Sequence, residues 1–329
     1  SGTGKSFLTR LLLIGILQKG SALTLVFDMH SDHGWAGRDE RGREVKGLKA
    51  LFPDRVALFT LDEASSLRRG VRFEGVVRIR YRDLQPEDFD LLAEALRLTD
   101  LGRQAVHRLP RYLGADWLEA FLTTGGEEAL KDLAGRMGES LATLQALHRR
   151  LERLREFPFL VPEAEEDALE RILGALDHGR HVVLEFGGFG RRLEAYILVA
   201  NVLTRRIEER YVERVETAMG ERAREPRRLV IVIEEAHKFL GPAAAPLTTF
   251  GSIAREMRKS NVTLLVVDQR PSEMDPQVMS QLGSRFVFSL DNERDIDAVL
   301  GGAPDRHDLR SILARLEAKQ QALLCGHAL

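Results

Sequence analysis

The chain opens with Ser1-Gly2-Thr3-Gly4-Lys5-Ser6, which matches the second half of the phosphate-binding motif G-x-x-x-x-G-K-[ST]. Small residues in such a loop let backbone N–H groups point at phosphate oxygens, the lysine reaches the β- and γ-phosphates, and the serine hydroxyl is a Mg²⁺ ligand. The apolar residues that follow, as far as Leu17, predict a helix whose N-terminus favours an anion. We therefore expect a nucleotide site at Gly2, Thr3, Gly4, Lys5 and Ser6, with Ser6 as a metal ligand.

Half a motif is also compatible with a flexible Gly/Ser segment before a helix, so its interpretation depends on the rest of the chain. The first glycine of the motif would lie two places before Ser1. We accordingly expect the chain to be a fragment of a longer protein.

Short apolar runs rich in Val, Leu, Ile and Phe predict buried strands. They cover residues 22–27, 56–60, 76–81, 181–186, 229–234, 263–268, 285–290 and 322–325. Helical patterns follow several of them, at residues 5–18, 191–217, 246–259, 275–281 and 293–300. This alternation predicts an α/β fold with a mostly parallel, doubly wound sheet.

Residues 84–180 interrupt the alternation, and we expect them to form a helical bundle inserted into the sheet domain. The core would then comprise residues 1–83 and 181–329. Leucines at heptad-like spacing run from Leu141 to Leu154. Because the stripe lasts only about two heptads, it favours ordinary helix packing over a coiled coil that binds a partner.

Composition excludes several classes of protein. With 329 residues and 44% hydrophobic content, the chain can bury a core and is not a disordered segment. Its one cysteine excludes a disulfide framework, and the longest apolar stretch is far shorter than the ~20 residues of a membrane span. No signal peptide is evident, so we expect a cytoplasmic protein without a membrane partner. The net charge of −2 does not by itself indicate a nucleic-acid binder.

A second motif lies where the strand predicted at 229–234 runs into Glu234-Glu235-Ala236-His237. A buried strand that ends in two carboxylates is the Walker B pattern. We expect Glu234, in place of the more usual aspartate, to hold the Mg²⁺ shell and Glu235 to act as general base toward the attacking water. The alternative is a solvated strand end, which the upstream phosphate loop makes the weaker interpretation.

The strand predicted at 263–268 ends in Asp268 and Gln269. A polar side chain at the end of an apolar strand is costly to bury unless it has a partner or a function. Gln269 is therefore expected to sense the γ-phosphate or orient the water. Before this strand, Arg255 and Arg258 are candidates for an arginine that acts on a neighbouring subunit's nucleotide, with Arg258 preferred. A basic helix end favoured by the helix dipole is the competing interpretation.

Taken together, these motifs resemble the HerA family, within the HerA/FtsK superfamily of DNA-pumping ATPases. The matching segments are Gly2-Thr3-Gly4-Lys5-Ser6, Asp28-Met29-His30, Ile233-Glu234-Glu235-Ala236-His237, Arg255-Glu256-Met257-Arg258-Lys259, Asp268-Gln269-Arg270-Pro271-Ser272 and Asn292-Glu293-Arg294-Asp295. Two segments depart from the usual pattern: 28–33, often Asp-Pro-His-Gly-Glu-Tyr in the family, and Asp268, where Ser is more common.

The resemblance implies a RecA-like P-loop ATPase core that works as a homo-hexamer around double-stranded DNA and uses ATP and Mg²⁺. Such motors often partner a NurA-like nuclease in DNA end processing, and relatives serve in phage defence with other effectors. We expect the fragment to lack the family's N-terminal β-barrel and C-terminal extension. A conjugation-type DNA-pumping ATPase is a near alternative. A nucleotide-stabilised scaffold for an effector is a more distant one, because a scaffold need not keep a hydrolytic glutamate.

Three further features leave alternatives open. Asp28, His30, Asp32 and His33 could form a metal cluster, but lining of the nucleotide site by Asp28 is favoured, since no distant ligand pairs with them. The glycine-rich segment before Arg191 and Arg192 predicts a pore loop that grips DNA phosphates. The arginines between residues 68 and 82 suit either DNA contact or a charged edge strand.

The near-neutral net charge hides an uneven distribution. Residues 84–180 hold 12 basic and 19 acidic side chains, whereas the rest of the chain holds 36 and 31. We therefore expect the acidic insertion to face away from DNA.

Overall fold

The computed structural model describes residues 4–38, 44–221, 225–302, 305–317 and 321–326. In these ranges the strands are β1 (Leu23–Asp28), β2 (Ala36–Arg38), β3 (Glu44–Lys46), β4 (Val56–Thr60), β5 (Gly75–Val76), β6 (Ile79–Arg80), β7 (Leu160–Val161), β8 (His181–Glu185), β9 (Leu229–Glu234), β10 (Val262–Val267), β11 (Ser284–Val287) and β12 (Leu323–Gly326).

The helices of the same ranges are α1 (Lys5–Lys19), α2 (Leu48–Leu51), α3 (Glu63–Arg68), α4 (Pro86–Leu91), α5 (Asp100–Leu113), α6 (Trp117–Thr123), α7 (Gly126–Met137), α8 (Leu141–Leu151), α9 (Ala168–Asp177), α10 (Leu193–Glu221), α11 (His237–Leu240), α12 (Thr249–Glu256), α13 (Pro276–Gln281), α14 (Glu293–Val299) and α15 (Arg306–Leu313). In the part of the chain described, no helix is both long and apolar enough to cross a bilayer.

The central sheet has six strands in the order β10-β9-β1-β8-β4-β5, and every neighbouring pair is parallel. Leu25 of β1 lies opposite Val182 of β8 on one side and Ile231 of β9 on the other. The inner strands β1, β4 and β8 are buried along their whole length because helices cover both faces, as expected for a parallel sheet, whereas the edge strand β10 is only partly buried.

Alternate residues of each strand pack on opposite faces of the sheet. Val26 and Val232 pack against Leu13 and Leu17 of α1. Leu25, Phe27 and Ile231 belong to the larger core, which includes side chains of α9, α10 and α12. Helices on both faces confirm the predicted α/β, doubly wound architecture.

The helices α4 to α9 all lie in residues 84–180. Side chains of Thr99, Ser140 and Asp167 cap the first turns of α5, α8 and α9. Leu144, Leu147, Leu151 and Leu154 are buried in the same core as the sheet, which confirms ordinary helix packing of the leucine stripe. The division into two units at residues 84 and 180 stays a prediction, since one continuous core joins these helices to the sheet.

Two details of the predicted strands were wrong. The run at 76–81 does not form one strand but two short ones, β5 and β6. Residues 84–180 were expected to form a helical bundle, yet they also contain β7, which pairs in parallel with β6. A two-residue strand is too short to leave a periodic pattern in the sequence, so only the tertiary contact reveals it.

Several acidic side chains of residues 84–180 pair with arginines of α10. The guanidinium of Arg205 donates to both oxygens of Asp88, at 2.8 and 3.1 Å, and Asp88 is fully buried. One turn further, Arg210 pairs with Glu170 and Asp177. The uneven charge distribution therefore serves, at least in part, to dock these helices on the core.

Candidate functional site

Acidic side chains gather at the carboxyl edge of the central sheet. Asp28 at the end of β1 lies opposite Glu185 at the end of β8, and Val267, just before Asp268, lies opposite Glu234 of β9. In open α/β sheets the carboxyl ends of the strands border the ligand crevice. The parallel register thus brings together residues that are more than 200 positions apart in the sequence.

The phosphate-loop residues in the described range lie at the start of α1. Gly4 has φ +92°, a conformation that favours glycine, and α1 begins without a side-chain cap. Its first N–H groups are therefore available to an anion. Ser6 is exposed, and Lys5 is partly buried. The predicted Gly2 and Thr3 lie outside the described residues.

The Lys5 side chain lies in the field of two predicted site residues. Burial lowers the pKa of its ammonium, and the negative charges of Asp268 and Glu235 oppose that shift. Lys5, Asp268 and Gln269 also line a cleft of ≈ 680 Å³ between α1, the edge strand β10 and β11. The fold therefore brings the lysine of the first motif to the acidic ends of β9 and β10.

Glu235 and Gln269, which were predicted as site residues separately, contact each other. The Gln269 amide Nε2 donates to Oε1 of Glu235 at 3.0 Å. The Glu235 side chain is 28% exposed, and its backbone has φ +50°, which is strained for a residue with a Cβ. Such strain is found preferentially at functional sites. The arrangement leaves a partly exposed carboxylate, oriented by an amide, at the edge of the sheet.

Glu234 is almost buried and is held by a histidine. Its side chain is 10% exposed, and its Oε1 lies 3.2 Å from Nε2 of His33. Burial would raise the pKa of Glu234, but the hydrogen bond and charge of His33 outweigh it and lower the pKa. Burial likewise opposes charge on His33, yet Glu234 and Asp28 raise the pKa of that imidazole. Oε2 of Glu234 has no protein partner, which fits a carboxylate that helps to hold a cation's hydration shell.

Asp28 supports the site from behind rather than facing the crevice. Its carboxylate is fully buried and accepts the backbone N–H groups of Asp32, His33 and Gly34 at 2.8–2.9 Å. Burial raises the pKa of Asp28. Through these hydrogen bonds Asp28 holds the loop that places His33 beside Glu234. Among the described residues no group of three or more His, Cys, Asp and Glu side chains is arranged to hold a metal ion, so the metal-cluster alternative for this loop gains no support.

Glu185 extends the buried charge cluster. Its carboxylate is fully buried and pairs with Arg69 of the segment after α3 at 2.5 Å. Burial and the nearby Asp28 raise the pKa of Glu185 to about 7, and Arg69 opposes that shift. The carboxylates of Asp28, Glu185 and Glu234 and the imidazole of His33 thus form one largely buried cluster of charged groups next to the crevice.

The predicted arginines differ in their surroundings. Arg255 is exposed in the last turn of α12. Arg258 lies in the following 3-10 turn, Met257–Ser260, and its side chain falls outside the described residues. The assignment of either arginine to a neighbouring subunit's nucleotide therefore stays a prediction.

The glycine-rich segment before Arg191 and Arg192 forms a tight 3-10 turn, Gly187–Arg191. A Cβ at Gly190 would collide with the carbonyl oxygen of Met29, so close packing explains this glycine without loop flexibility. The guanidinium of Arg192 lies 4.1 Å from the ring centroid of Phe157 and pairs with Glu156. Arg191 is exposed, and a role for either arginine in DNA binding stays a prediction.

Sequence reasoning predicted none of the contacts made by three side chains that organise the site. These are His33, which contacts Glu234, and His237 and Asp268, which contact each other. Asp268 was noted as the end of a predicted strand and as a departure from the family pattern, and His33 only as part of a possible metal cluster. The alternation of buried and exposed positions in a strand could not reveal these contacts, because each joins the ends of two different strands.

The sequence and the fold have clear relatives. Residues 1–207, more than half of the chain, match the family described as "Helicase HerA, central domain". The "DNA double-strand break repair helicase HerA" of Pyrococcus furiosus is 36% identical over 104 residues, 31% of this chain and 19% of that protein. The helicase of the same name from Saccharolobus solfataricus is 31% identical over 99 residues, 29% of this chain and 20% of that protein. The matched part spans about a fifth of the length of these curated relatives.

Two solved structures share the fold. VirB4 of Thermoanaerobacter pseudethanolicus superposes with a TM-score of 0.56 at 15% identity, over 99% of this chain and 84% of that one. The plasmid coupling protein TrwB, in complex with a non-hydrolysable GTP analogue, superposes with a TM-score of 0.50 at 15% identity, over 87% and 68%. At this identity the likeness establishes a shared RecA-like fold alone. Together with the family match, these observations lead to one conclusion: the chain belongs to the HerA helicase family.

Proposed function

We propose that this protein is an ATP-driven translocase of double-stranded DNA that works as a homo-hexamer. The observation that carries the proposal is the Gln269–Glu235 hydrogen bond of 3.0 Å, formed beside the partly buried Lys5 at the carboxyl edge of the sheet. A pure scaffold for an effector needs a nucleotide to bind but does not need an oriented, partly exposed carboxylate. Membership of the HerA helicase family favours a HerA-like motor over the conjugation-type alternative, which would also act on DNA.

The residues fit a Mg²⁺–ATP complex by the chemistry of their side chains. Glu234 keeps one oxygen without a protein partner, and Ser6 is exposed at the start of α1, so these two would hold the ion and its water. When bound, Mg²⁺ would neutralise charge on the phosphates. Lys5 and the free N–H groups of α1 would hold the phosphate oxygens.

Hydrolysis would depend on the remaining pair. Glu235 would accept the proton of the attacking water, and Gln269 would keep the carboxylate oriented and contact the γ-phosphate. An arginine from the neighbouring subunit, Arg258 or Arg255, would stabilise charge in the transition state. A NurA-like nuclease or another effector would use the translocated DNA, in end processing or phage defence.

The decisive experiment measures ATP hydrolysis by the full-length protein with and without linear duplex DNA, beside Glu235→Gln. We expect DNA to stimulate hydrolysis and the variant to lose roughly 10²–10⁴-fold of the turnover rate, because the general base is gone. Binding of a non-hydrolysable ATP analogue should persist in the variant, since Glu235→Gln leaves Lys5 and α1 intact.

Two results would contradict the proposal in different ways. A wild-type protein that binds ATP but hydrolyses none, with any DNA or effector, would favour the scaffold alternative. Wild-type rates in Glu235→Gln would mean that another group activates the water.

A further inference from the structure

The carboxylate of Asp268 joins the ends of two neighbouring strands. Its Oδ2 accepts the backbone N–H of His237 at 2.7 Å and lies 2.9 Å from Nδ1 of the same histidine. Its Oδ1 accepts the backbone N–H of Arg270 at 2.5 Å. A carboxylate only accepts hydrogen bonds, so Nδ1 of His237 carries the proton. One side chain therefore holds the segment after β9 and the segment after β10 together.

The positions of these residues in the sequence make this contact consequential. His237 lies two residues after Glu235, and Asp268 directly precedes Gln269. The contact between His237 and Asp268 thus joins the same two strand ends as the contact between Glu235 and Gln269, within two residues of it. If the contact between His237 and Asp268 opens, the two strand ends are no longer joined beside Glu235 and Gln269.

The contact is protected from water. The side chains of His237 and Asp268 are 5% and 6% exposed. Hydrogen bonds in a site with so little water are stronger than exposed ones and hold a more defined geometry. The clamp, as we name the Asp268–His237 contact, is therefore a rigid element beside a partly exposed carboxylate.

The backbone between the two contacts is strained. Glu235 has φ +50°, a conformation that is unfavourable for a residue with a Cβ and persists only where surrounding contacts impose it. The clamp supplies such contacts two residues further on. The other ring nitrogen of His237, Nε2, faces Oε2 of Glu235 at 3.9 Å and Oε2 of Glu273 at 3.8 Å. The imidazole thus lies between Asp268 and the carboxylate that acts on water.

We infer that Asp268 and His237 are positioning residues that hold Glu235 and Gln269 in register for hydrolysis. The inference rests on the proposed function, because it assigns the pair's geometry to the clamp and the chemistry to Glu235. It predicts that opening the clamp impairs the hydrolytic step while nucleotide binding, which depends on Lys5 and α1, is retained.

The test compares Asp268→Ala, His237→Ala and the double variant in the full-length protein with DNA. We expect each single variant to lower kcat roughly 10- to 100-fold, since small misplacements of reacting groups have effects of this size. The Kd for a non-hydrolysable ATP analogue should stay within about threefold, a split that loss of folding would not produce. The double variant should lose no more than the stronger single variant, because both open the same contact. Asp268→Asn keeps one acceptor oxygen and should be intermediate.

His181→Gln is the matched control. His181 is also a buried histidine at a strand end, with Nδ1 3.1 Å from Oγ1 of Thr24, but it begins β8 and lies at the opposite edge of the sheet. Its kcat should match the wild type below the unfolding temperature. Wild-type kcat in Asp268→Ala, or losses that multiply in the double variant, would overturn the clamp.

A second measurement separates the clamp from the proposed function. Hydrogen exchange of the nucleotide-free protein should be faster at the amides of His237 and Arg270 in Asp268→Ala, by about tenfold or more, and unchanged there in His181→Gln. If the wild type hydrolyses no ATP but this exchange pattern is found, the strand ends are clamped and the proposed function is wrong. Unchanged exchange in Asp268→Ala would refute the clamp whatever the wild-type activity.

Discussion

The amide of Gln269 donates to the carboxylate of Glu235 across the ends of two adjacent strands, at 3.0 Å. The glutamine tip follows β10 and the glutamate follows β9, so the parallel register of these strands determines their separation. A neutral amide beside the carboxylate orients it without neutralising its charge. In the proposed mechanism this contact keeps Glu235 oriented to accept a proton.

Gln269→Ala should therefore retain nucleotide binding and lose most turnover. We expect kcat to fall roughly 10²-fold, within the range for loss of a group that assists proton transfer. Steady-state hydrolysis with duplex DNA and binding of a non-hydrolysable analogue measure the two effects. Gln277→Ala, an exposed glutamine of α13, is the control and should behave as wild type. Equal losses of binding and turnover would show that Gln269 contributes to affinity instead.

Removal of the His33 imidazole should destabilise the fold. His33→Ala would leave the nearly buried Glu234 carboxylate without its donor, and an unpaired buried charge costs roughly 3 kcal/mol of unfolding free energy. Chemical denaturation at pH 7 measures this. His30→Ala, an exposed histidine in the same loop, should change stability by no more than about 0.5 kcal/mol. Similar unfolding free energies for both variants would indicate that the His33–Glu234 contact does not stabilise the fold.

The docking of residues 84–180 on α10 should depend on Arg205. Arg205→Ala leaves the fully buried Asp88 with the Asn201 side-chain amide and the backbone N–H of Gln85 as its remaining donors, and we expect a loss of about 3 kcal/mol of unfolding free energy. Arg82→Ala removes a surface arginine that pairs with Asp116 and Glu163, and should cost less than about 1 kcal/mol. Denaturation and limited proteolysis within residues 84–180 compare the two. Faster cleavage in Arg82→Ala than in Arg205→Ala would contradict the burial argument.

An arginine that acts across subunits should complement in mixtures. Arg258→Ala subunits keep the phosphate lysine, and Lys5→Ala subunits keep the arginine. Mixed rings would therefore contain interfaces with both groups, and we expect the mixture to regain part of the activity that each variant lacks alone. The same mixture with Arg255→Ala tests the second candidate. If no Arg258→Ala mixture regains activity, Arg258 does not act in trans.

Acid should weaken the fold through His181. Burial, with Arg55 and Arg227, lowers the pKa of His181 to about 4 from its ordinary value of 6.5. The unfolded chain therefore binds a proton in this range that the folded chain does not, and stability falls as the pH drops from about 6.5 toward 4. The contribution is on the order of 3 kcal/mol. Denaturation between pH 7 and 4.5 should show a shallower loss for His181→Gln than for the wild type, and parallel curves would refute this assignment.

The alternation of apolar runs with helical patterns was sufficient to predict the α/β sheet. β4 and β9 match the predicted runs at 56–60 and 229–234 in full, because continuous Val, Leu and Ile segments have few other stable placements than a buried strand. The sequence also identified Lys5, Glu235 and Gln269 as candidate site residues, because each stands at a strand or helix end within a chemical motif. Short strands such as β7 were missed because two residues carry no period.

By itself the sequence determined the fold class, the covered faces of the strands and the identity of the groups at the carboxyl edge, because these follow from local periodicity and residue chemistry. Only the tertiary structure decided which of those groups touch. The bonds from Asp268 to His237 and from His33 to Glu234 join residues 31 and 201 positions apart, and the strand order brings them together. Contacts of that kind depend on register and side-chain direction across the sheet, which local propensity does not encode.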